Sequence, residues 1–164
     1  MPKILLLSDT HAFLDPRIEK YAEQVDQIWH AGDIGDLEVI DALKSLCPDV
    51  RAVHGNIDGN QVRSEIPEHQ HFEVEGAKIW MTHIGGYPPK YNTRIKAILQ
   101  QVKPDLFICG HSHILKVIYD PALKCLHMNP GAAGKHGFHN VQTLIQFKIE
   151  TGEVKDLKII ELKK

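Results

Sequence analysis

Short apolar runs alternate with amphipathic stretches along the first third of the chain. The run KILLL at residues 3–7 is apolar throughout, which is typical of a strand buried on both faces. Residues 37–46 instead place leucine or isoleucine every three or four positions, which predicts a helix. The same reasoning predicts a helix at 16–25 and strands at 27–31 and 50–53. This order predicts a β-α-β-α-β unit with parallel strands.

The pattern changes after residue 70. Residues 71–74 and 78–82 flank a Glu-Gly turn and predict an antiparallel hairpin. The stretch GGYPPKYN at 85–92 predicts a loop, and residues 93–102 predict a helix. Further strands are predicted at 106–109, 115–119, 124–127, 143–149 and 157–162. We expect one α/β domain spanning residues 1–164, in which an antiparallel half follows the parallel one.

Composition narrows the class of protein without naming an activity. The chain has 164 residues, 43% hydrophobic and 24% charged, which suits one globular domain. A formal net charge of −2 offers no basic surface for nucleic acid, and no apolar run has the length of a membrane span. The three cysteines form no C-x-x-C pair, and the first apolar run is too short for a signal peptide. We therefore expect a cytoplasmic protein.

Candidate chemistry is concentrated where the predicted strands end. Five strands are each followed by a carboxylate, an asparagine or a histidine. In open α/β sheets, ligands bind beyond the carboxyl ends of the strands, so these side chains are expected to converge. In chain order, the motifs are Asp9-Thr10-His11, Gly32-Asp33, Gly55-Asn56, Thr82-His83 and Gly110-His111-Ser112-His113.

Imidazole and carboxylate together suit Mn, Fe, Zn or Ni, and the absence of thiolate ligands argues against a structural zinc site. Two cations about 3.5–4 Å apart need a shared carboxylate, and Asp33 is the natural one. One cation would take Asp9, His11 and one of the paired histidines, and the other would take Asn56, His83 and the second histidine. A water held between two such cations becomes a hydroxide nucleophile near neutral pH.

The ordered series DTH, GDIGD, GNID, a lone histidine and GHSH resembles the calcineurin-like metallophosphoesterase superfamily. The short length and the tripeptide Asn-Pro-Gly at 129–131 resemble its small bacterial and archaeal phosphodiesterases, and the match runs from residue 4 to about residue 134. The resemblance implies a four-layer αββα sandwich, in which two mixed β-sheets are flanked by helices. It also implies hydrolysis of small phosphoesters, diesters more than monoesters, by a hydroxide that bridges two divalent cations.

Carried over by position, the family's ligands fall on seven residues of this chain. The first metal would be held by Asp9, His11, Asp33 and His113, and the second by Asp33, Asn56, His83 and His111. The resemblance further implies that Asp33, Asn56 and His111 take part in catalysis. It favours manganese, with iron, nickel, zinc or cobalt as alternatives, and it allows a homodimer.

The chain departs from the family pattern at two positions. Many members have a catalytic histidine where this chain has Ile57, and isoleucine can neither donate a proton nor stabilise charge. Many also have a second histidine shortly after His83, which is absent here. The histidines at 136 and 139 follow a Gly-rich stretch and are candidate substitute acids. The stretch itself, GAAGK at 131–135, does not match a P-loop and is interpreted as a tight turn.

Several polar residues near the motifs have open roles. His30 and His54 are interpreted as packing or supporting residues, and Asp36 and Asp58 as residues that orient loops through hydrogen bonds. The segment with Tyr87, Lys90, Tyr91 and Arg94 either contacts a phosphate or nucleobase or is a solvated loop.

A different class of function is a binding scaffold. The retromer subunit of vacuolar sorting shares the family fold but has lost parts of the site. All seven expected ligand positions of this chain carry acceptable residues, which favours an enzyme.

Overall fold

A computed structural model describes residues 1–164, which form twelve strands and four α-helices. The strands are β1 Lys3–Leu7, β2 Gln27–His30, β3 Val50–Ala52, β4 His69–Val74, β5 Ala77–Thr82, β6 Gly86–Tyr87, β7 Lys90–Tyr91, β8 Leu106–Ile108, β9 Leu115–Asp120, β10 Cys125–Pro130, β11 Val141–Glu150 and β12 Glu153–Lys163. The helices are α1 Glu19–Ala22, α2 Leu37–Leu46, α3 Asn60–Glu65 and α4 Thr93–Val102.

The strands form two five-stranded mixed sheets. The first has the order β12-β11-β1-β2-β3, and the second has the order β4-β5-β8-β10-β9. Strands β1, β2 and β3 are parallel to one another, as are β5, β8 and β10, and the outer strands are antiparallel. Each sheet therefore brings the carboxyl ends of its central strands to one edge.

Alternation of side chains along the strands builds four layers. In β1, Leu5 and Leu7 pack in one apolar cluster with residues of α2, whereas Ile4 and Leu6 pack in another with Ile79 of the second sheet. On the far face of the second sheet, Phe107 packs with α4. The predicted αββα sandwich, with two mixed sheets flanked by helices, is confirmed.

Several element predictions were wrong in detail. The helix expected at 16–25 is a 3₁₀ turn at Pro16–Ile18 followed by the four-residue α1, and the Asp15 side chain caps the turn by accepting from Arg17 N. Helix α3 was not predicted, because its six residues bury only one apolar side chain and therefore show no hydrophobic periodicity. The loop expected at 85–92 contains the short ribbon β6–β7.

Strand ends also differ by a few residues from the predicted bounds, as expected for boundaries read from a single sequence. The hairpin strand β4 begins earlier, and β10, β11 and β12 extend beyond the predicted segments. Helices α2 and α4 match their predictions. No helix of the structure has the length and hydrophobicity to cross a membrane.

Candidate metal centre

All seven residues predicted as ligands come together at the carboxyl ends of the parallel strands. Asp9 and His11 follow β1, Asp33 follows β2 and Asn56 follows β3. The second sheet contributes His83 after β5 and the paired histidines after β8. The two loops of the second sheet meet through a hydrogen bond from Gly110 N to His83 O, at 3.0 Å.

The backbone at these strand ends is unusual. Five of the seven residues have a positive φ of 47–73°, a region that side-chain-bearing residues seldom occupy. Such conformations are maintained only where surrounding structure imposes them, and they are concentrated at functional sites. The five are Asp9, His11, Asp33, His111 and His113.

Two groups of candidate ligand atoms are spaced closely enough to bind a metal ion. In each, one nitrogen or oxygen per residue lies within 4.8 Å of the others, a spacing that suits a single cation. The first group is Asp9, His11 and His113, and the second is Asp33, His83 and His111. Asn56 joins the second group, because its Oδ1 lies 3.0 Å from His111 Nδ1.

The two carboxylates lie between the groups. Asp33 Oδ2 is 3.4 Å from His11 Nε2 in the first group and 3.2 Å from His83 Nε2 in the second. Asp9 Oδ1 lies 3.4 Å from His113 Nε2 and 3.7 Å from His83 Nε2. A carboxylate in the position of Asp33 reaches both groups, as a ligand shared by two cations must.

The residues present fit a metal centre, because several of their buried polar atoms have no hydrogen-bond partner. Asp9 Oδ1, His11 Nε2 and His83 Nε2 are buried and have no hydrogen-bond partner. A buried polar atom without a partner costs about 1–3 kcal/mol, and three in one place indicate a ligand that satisfies them. Imidazole nitrogens and carboxylate oxygens are ligands of divalent transition metals.

Neighbouring groups fix the orientation of these side chains. His83 Nδ1 donates to the carbonyl of Ala31 at 2.7 Å, which leaves its Nε2 lone pair facing the centre. Asp9 Oδ2 accepts from Ser8 Oγ at 2.6 Å and from His111 N at 3.2 Å. A Cβ on Gly55 would overlap Asp33 Oδ1, so only glycine permits this close approach.

Asp58 connects two of the ligand-bearing loops. Its buried carboxylate accepts hydrogen bonds from Ile34 N at 3.1 Å, Gly35 N at 2.7 Å and Gly55 N at 2.7 Å. The first two N–H groups belong to the loop that carries Asp33, and the third precedes Asn56. One side chain therefore sets the position of both loops without contacting the ligand groups.

The pKa values of the histidines reflect competition between burial and the two carboxylates. Burial lowers the pKa of His83, but the neighbouring carboxylates of Asp33 and Asp9 outweigh it and raise the pKa overall. The nearby carboxylate of Asp9 raises the pKa of His113. Burial raises the pKa of Asp33, but its partner His83 lowers it overall. A cation at the centre would compete with protons for these atoms.

His30 is a buried, uncharged ring that contacts the residues next to the ligands Asp9 and Asp33. Its Nδ1 accepts from Gly32 N at 3.1 Å, and its Nε2 lies 3.0 Å from Thr10 Oγ1. Complete burial lowers its pKa to about 4, an effect that nearby carboxylates only partly oppose.

This buried histidine predicts an acid-sensitive fold. The unfolded chain takes up a proton at His30 below about pH 6.5, whereas the folded chain does so only near pH 4. Stability is therefore lost as pH falls through this window, by about 1 kcal/mol per pH unit for this group. Urea unfolding of chelator-stripped protein between pH 7 and 5 should show a shallower pH slope for His30→Asn. The exposed His71→Asn should keep the wild-type slope, and equal slopes for wild type and His30→Asn would contradict the assignment.

The position where the family has a catalytic histidine keeps only a backbone role. Ile57 N donates to Asp33 Oδ1 at 3.1 Å, and its side chain is 46% exposed. The two later histidines contact ligand rings: His136 stacks on His11 with 4.5 Å between ring centroids, and His139 meets His113 edge-on at 5.6 Å.

Three further polar residues near the centre have defined positions in the structure. Asp36 accepts from Glu38 N at 2.9 Å and begins α2, and His54 Nδ1 lies 2.9 Å from the carbonyl of Ile66. His69, which no sequence pattern marked, lines a cleft next to His83 together with Arg94. The pairing of β4 with β5 brings His69 to this cleft, so its position could not be predicted from the neighbouring sequence.

Comparison with known proteins agrees with this geometry. A family model described as the calcineurin-like phosphoesterase superfamily domain matches residues 2–152. The chain belongs to the calcineurin-like phosphoesterase superfamily. This superfamily uses metals, and the two ligand groups described above are the candidate sites.

Individual relatives extend the comparison. A probable metallophosphoesterase of Methanocaldococcus jannaschii is 30% identical over 133 residues, which are 77% of this chain and 66% of that relative. A solved archaeal phosphodiesterase has 25% identity and a TM-score of 0.76, with 98% of this chain and 99% of that one covered. Zn²⁺-complexed Vps29 of Entamoeba histolytica has the same TM-score of 0.76 at 20% identity, with 98% of each chain covered, and shows the fold alone.

Proposed function

We propose that this protein is a dinuclear metal-dependent phosphodiesterase. The observation that carries the proposal is the pair of ligand groups with the Asp33 carboxylate between them, 3.4 Å from His11 and 3.2 Å from His83. Two bound divalent cations would supply Lewis acidity for the phosphoryl oxygens and a deprotonated water as nucleophile. Manganese is the proposed metal, since the set combines imidazole with hard oxygen ligands.

The roles of the residues follow from their positions. Asp33 would be the shared ligand, and Asn56 would add a neutral oxygen that limits the negative charge around the phosphate. His111 is exposed at the mouth of the centre, so it can meet a phosphoryl oxygen directly. In the reaction, a bond forms from the water oxygen to phosphorus, the bond to one ester oxygen breaks, and the leaving alkoxide takes up a proton from solvent or a weak acid.

A paired assay tests the class, the metal requirement and the preference for diesters. Chelator-stripped protein should leave bis(p-nitrophenyl) phosphate intact, and added Mn²⁺ should restore turnover by at least about 100-fold. The diester should be hydrolysed faster than p-nitrophenyl phosphate. Faster hydrolysis of the monoester would overturn the diester preference.

The alternative, a binding scaffold on the same fold, makes the opposite prediction. It expects protein that binds two cations per chain, by elemental analysis, yet turns over neither ester with Mn²⁺, Ni²⁺, Co²⁺ or Zn²⁺. That result would overturn the enzyme proposal and point to Ile57 as the cause.

A further inference from the structure

Two clefts share Ile84 in their lining, and candidate metal ligands line each of them. The first has a volume of about 350 Å³ and is lined in part by Asn56 and His83. The second, of about 150 Å³, is lined in part by His111. Ile84 lines both clefts and is 42% exposed. A phosphorus atom held at the centre therefore has access to two separate clefts, and a phosphodiester has two ester arms to place in them.

The first cleft carries an excess of positive charge. Arg63 and Arg94 line it, and Glu68 is the only carboxylate among its lining residues. Arg63 donates from Nε to the carbonyl of Asp58 and from its terminal nitrogen to that of Gly55, at 3.1 Å. Arg63 forms no salt bridge, so its positive charge is available to an anionic ligand in the cleft.

The second arginine is held in place by a chain of hydrogen bonds. Arg94 donates to His69 Nε2 at 3.2 Å, and His69 Nδ1 in turn contacts Thr82 Oγ1 at 2.8 Å. Glu68 lies 3.6 Å from the same guanidinium. A guanidinium that is already oriented loses little side-chain entropy when it binds an anion.

The second cleft combines one cation, Lys116, with exposed apolar side chains. Its apolar side chains, Ile84, Tyr87 and Ile114, are between 42% and 62% exposed, so they are open to a ligand. Lys116 Nζ lies 3.7 Å from the centroid of the Tyr87 ring, which holds the ring at the cleft. An exposed aromatic ring in a cleft that also exposes two isoleucines suits a flat apolar group.

We propose that the substrate is a phosphodiester with two unlike arms: one carries a second anionic group and lies between Arg63 and Arg94, and the other is flat and apolar and lies against Tyr87. The inference rests on the phosphodiesterase activity proposed above. Ile84 separates the arms, and the metal centre holds the phosphate between them.

A matched pair of substrates tests the anionic arm. The p-nitrophenyl diesters of 2-carboxyethyl and 2-carbamoylethyl phosphate share a leaving group and differ only in a carboxylate or its neutral amide. Wild-type protein with Mn²⁺ should favour the carboxylate by about tenfold in kcat/KM, as one charge-assisted hydrogen bond would provide. Arg94→Met should lower this ratio severalfold, toward 1.

The control variant is Lys96→Met, which removes the same charge from an exposed position on α4 that lines neither cleft. It should keep the tenfold ratio. A wild-type ratio near 1, or a ratio that Arg94→Met leaves unchanged, would overturn the anionic arm while turnover itself upholds the phosphodiesterase. Failure to hydrolyse either diester with any metal would instead overturn the activity and this inference with it.

The apolar arm has its own readout. Tyr87→Ala should raise KM about fivefold for both substrates alike, because stacking on an aromatic ring contributes roughly 1 kcal/mol. The ratio between the two diesters should stay at its wild-type value. Unchanged KM values in a folded Tyr87→Ala protein would overturn the assignment of the second cleft.

Discussion

Asp33→Asn is expected to lower kcat on bis(p-nitrophenyl) phosphate by about 10³-fold or more. The carboxylate lies between the two ligand groups, and a neutral amide in its place cannot offset the charge of two cations. Each factor of ten in rate corresponds to about 1.4 kcal/mol, so the loss amounts to about 4 kcal/mol of transition-state stabilisation. Elemental analysis of the same protein should show fewer than two bound metal ions per chain.

The best control for Asp33→Asn lies three residues further along the same loop. Asp36 caps α2 through Glu38 N and does not contact the ligand groups. Asp36→Asn should keep the metal content and wild-type turnover, since asparagine is an equally good helix cap. Near-wild-type rates in folded Asp33→Asn, freed of wild-type protein, would contradict the two-metal assignment. His111→Ala should also lower the rate severely, because it removes a candidate ligand from the second group.

Asp58→Ala is expected to reduce both stability and activity, although Asp58 belongs to neither ligand group. The change leaves three backbone N–H groups without their acceptor, at the buried Ile34 and Gly55 and at the exposed Gly35. The free energy of unfolding should fall by about 2–4 kcal/mol in urea denaturation. The loops that carry Asp33 and Asn56 lose their connection, so kcat should fall by more than about tenfold even in the folded fraction.

A conservative variant separates positioning from mere folding. Asp58→Asn keeps one oxygen acceptor but turns an amide N–H toward a backbone N–H, so its stability should lie between those of Asp58→Ala and wild type. If Asp58 acts through the loops, saturating Mn²⁺ should restore part of the lost kcat with little change in KM. Asp49→Asn, at a half-exposed position, should change neither rate nor stability appreciably, since a surface ion pair contributes at most about 1 kcal/mol. Wild-type kcat for Asp58→Ala would contradict the positioning role.

The sequence contained most of what defines the layers and the centre. In KILLL, an uninterrupted apolar run predicted a strand buried on both faces, and β1 does pack against helices on one side and a sheet on the other. The candidate ligands were recognisable because each follows a strand, and parallel strands bring such positions to a common edge. The family followed from the order of the motifs, which is a property of the sequence alone.

Features that depend on distant residues were beyond local patterns. Helix α3 is too short to show a period, and the ribbon β6–β7 consists of two-residue strands. His69 reaches the cleft only because β4 pairs with β5, and it orients Arg94 from a different part of the chain. A sequence pattern records the neighbours along a strand or helix, whereas these contacts join segments 13 and 25 residues apart.

The amino-acid sequence thus determined the superfamily through the order of its motifs, and through that resemblance the αββα layers and the set of candidate ligands. Tertiary structure alone decided the distances between the ligand groups, the bridge that Asp58 makes between two loops, and the unlike character of the two clefts. Those features arise where loops from two sheets meet. Their geometry is set by packing across the whole domain, which no single stretch of residues encodes.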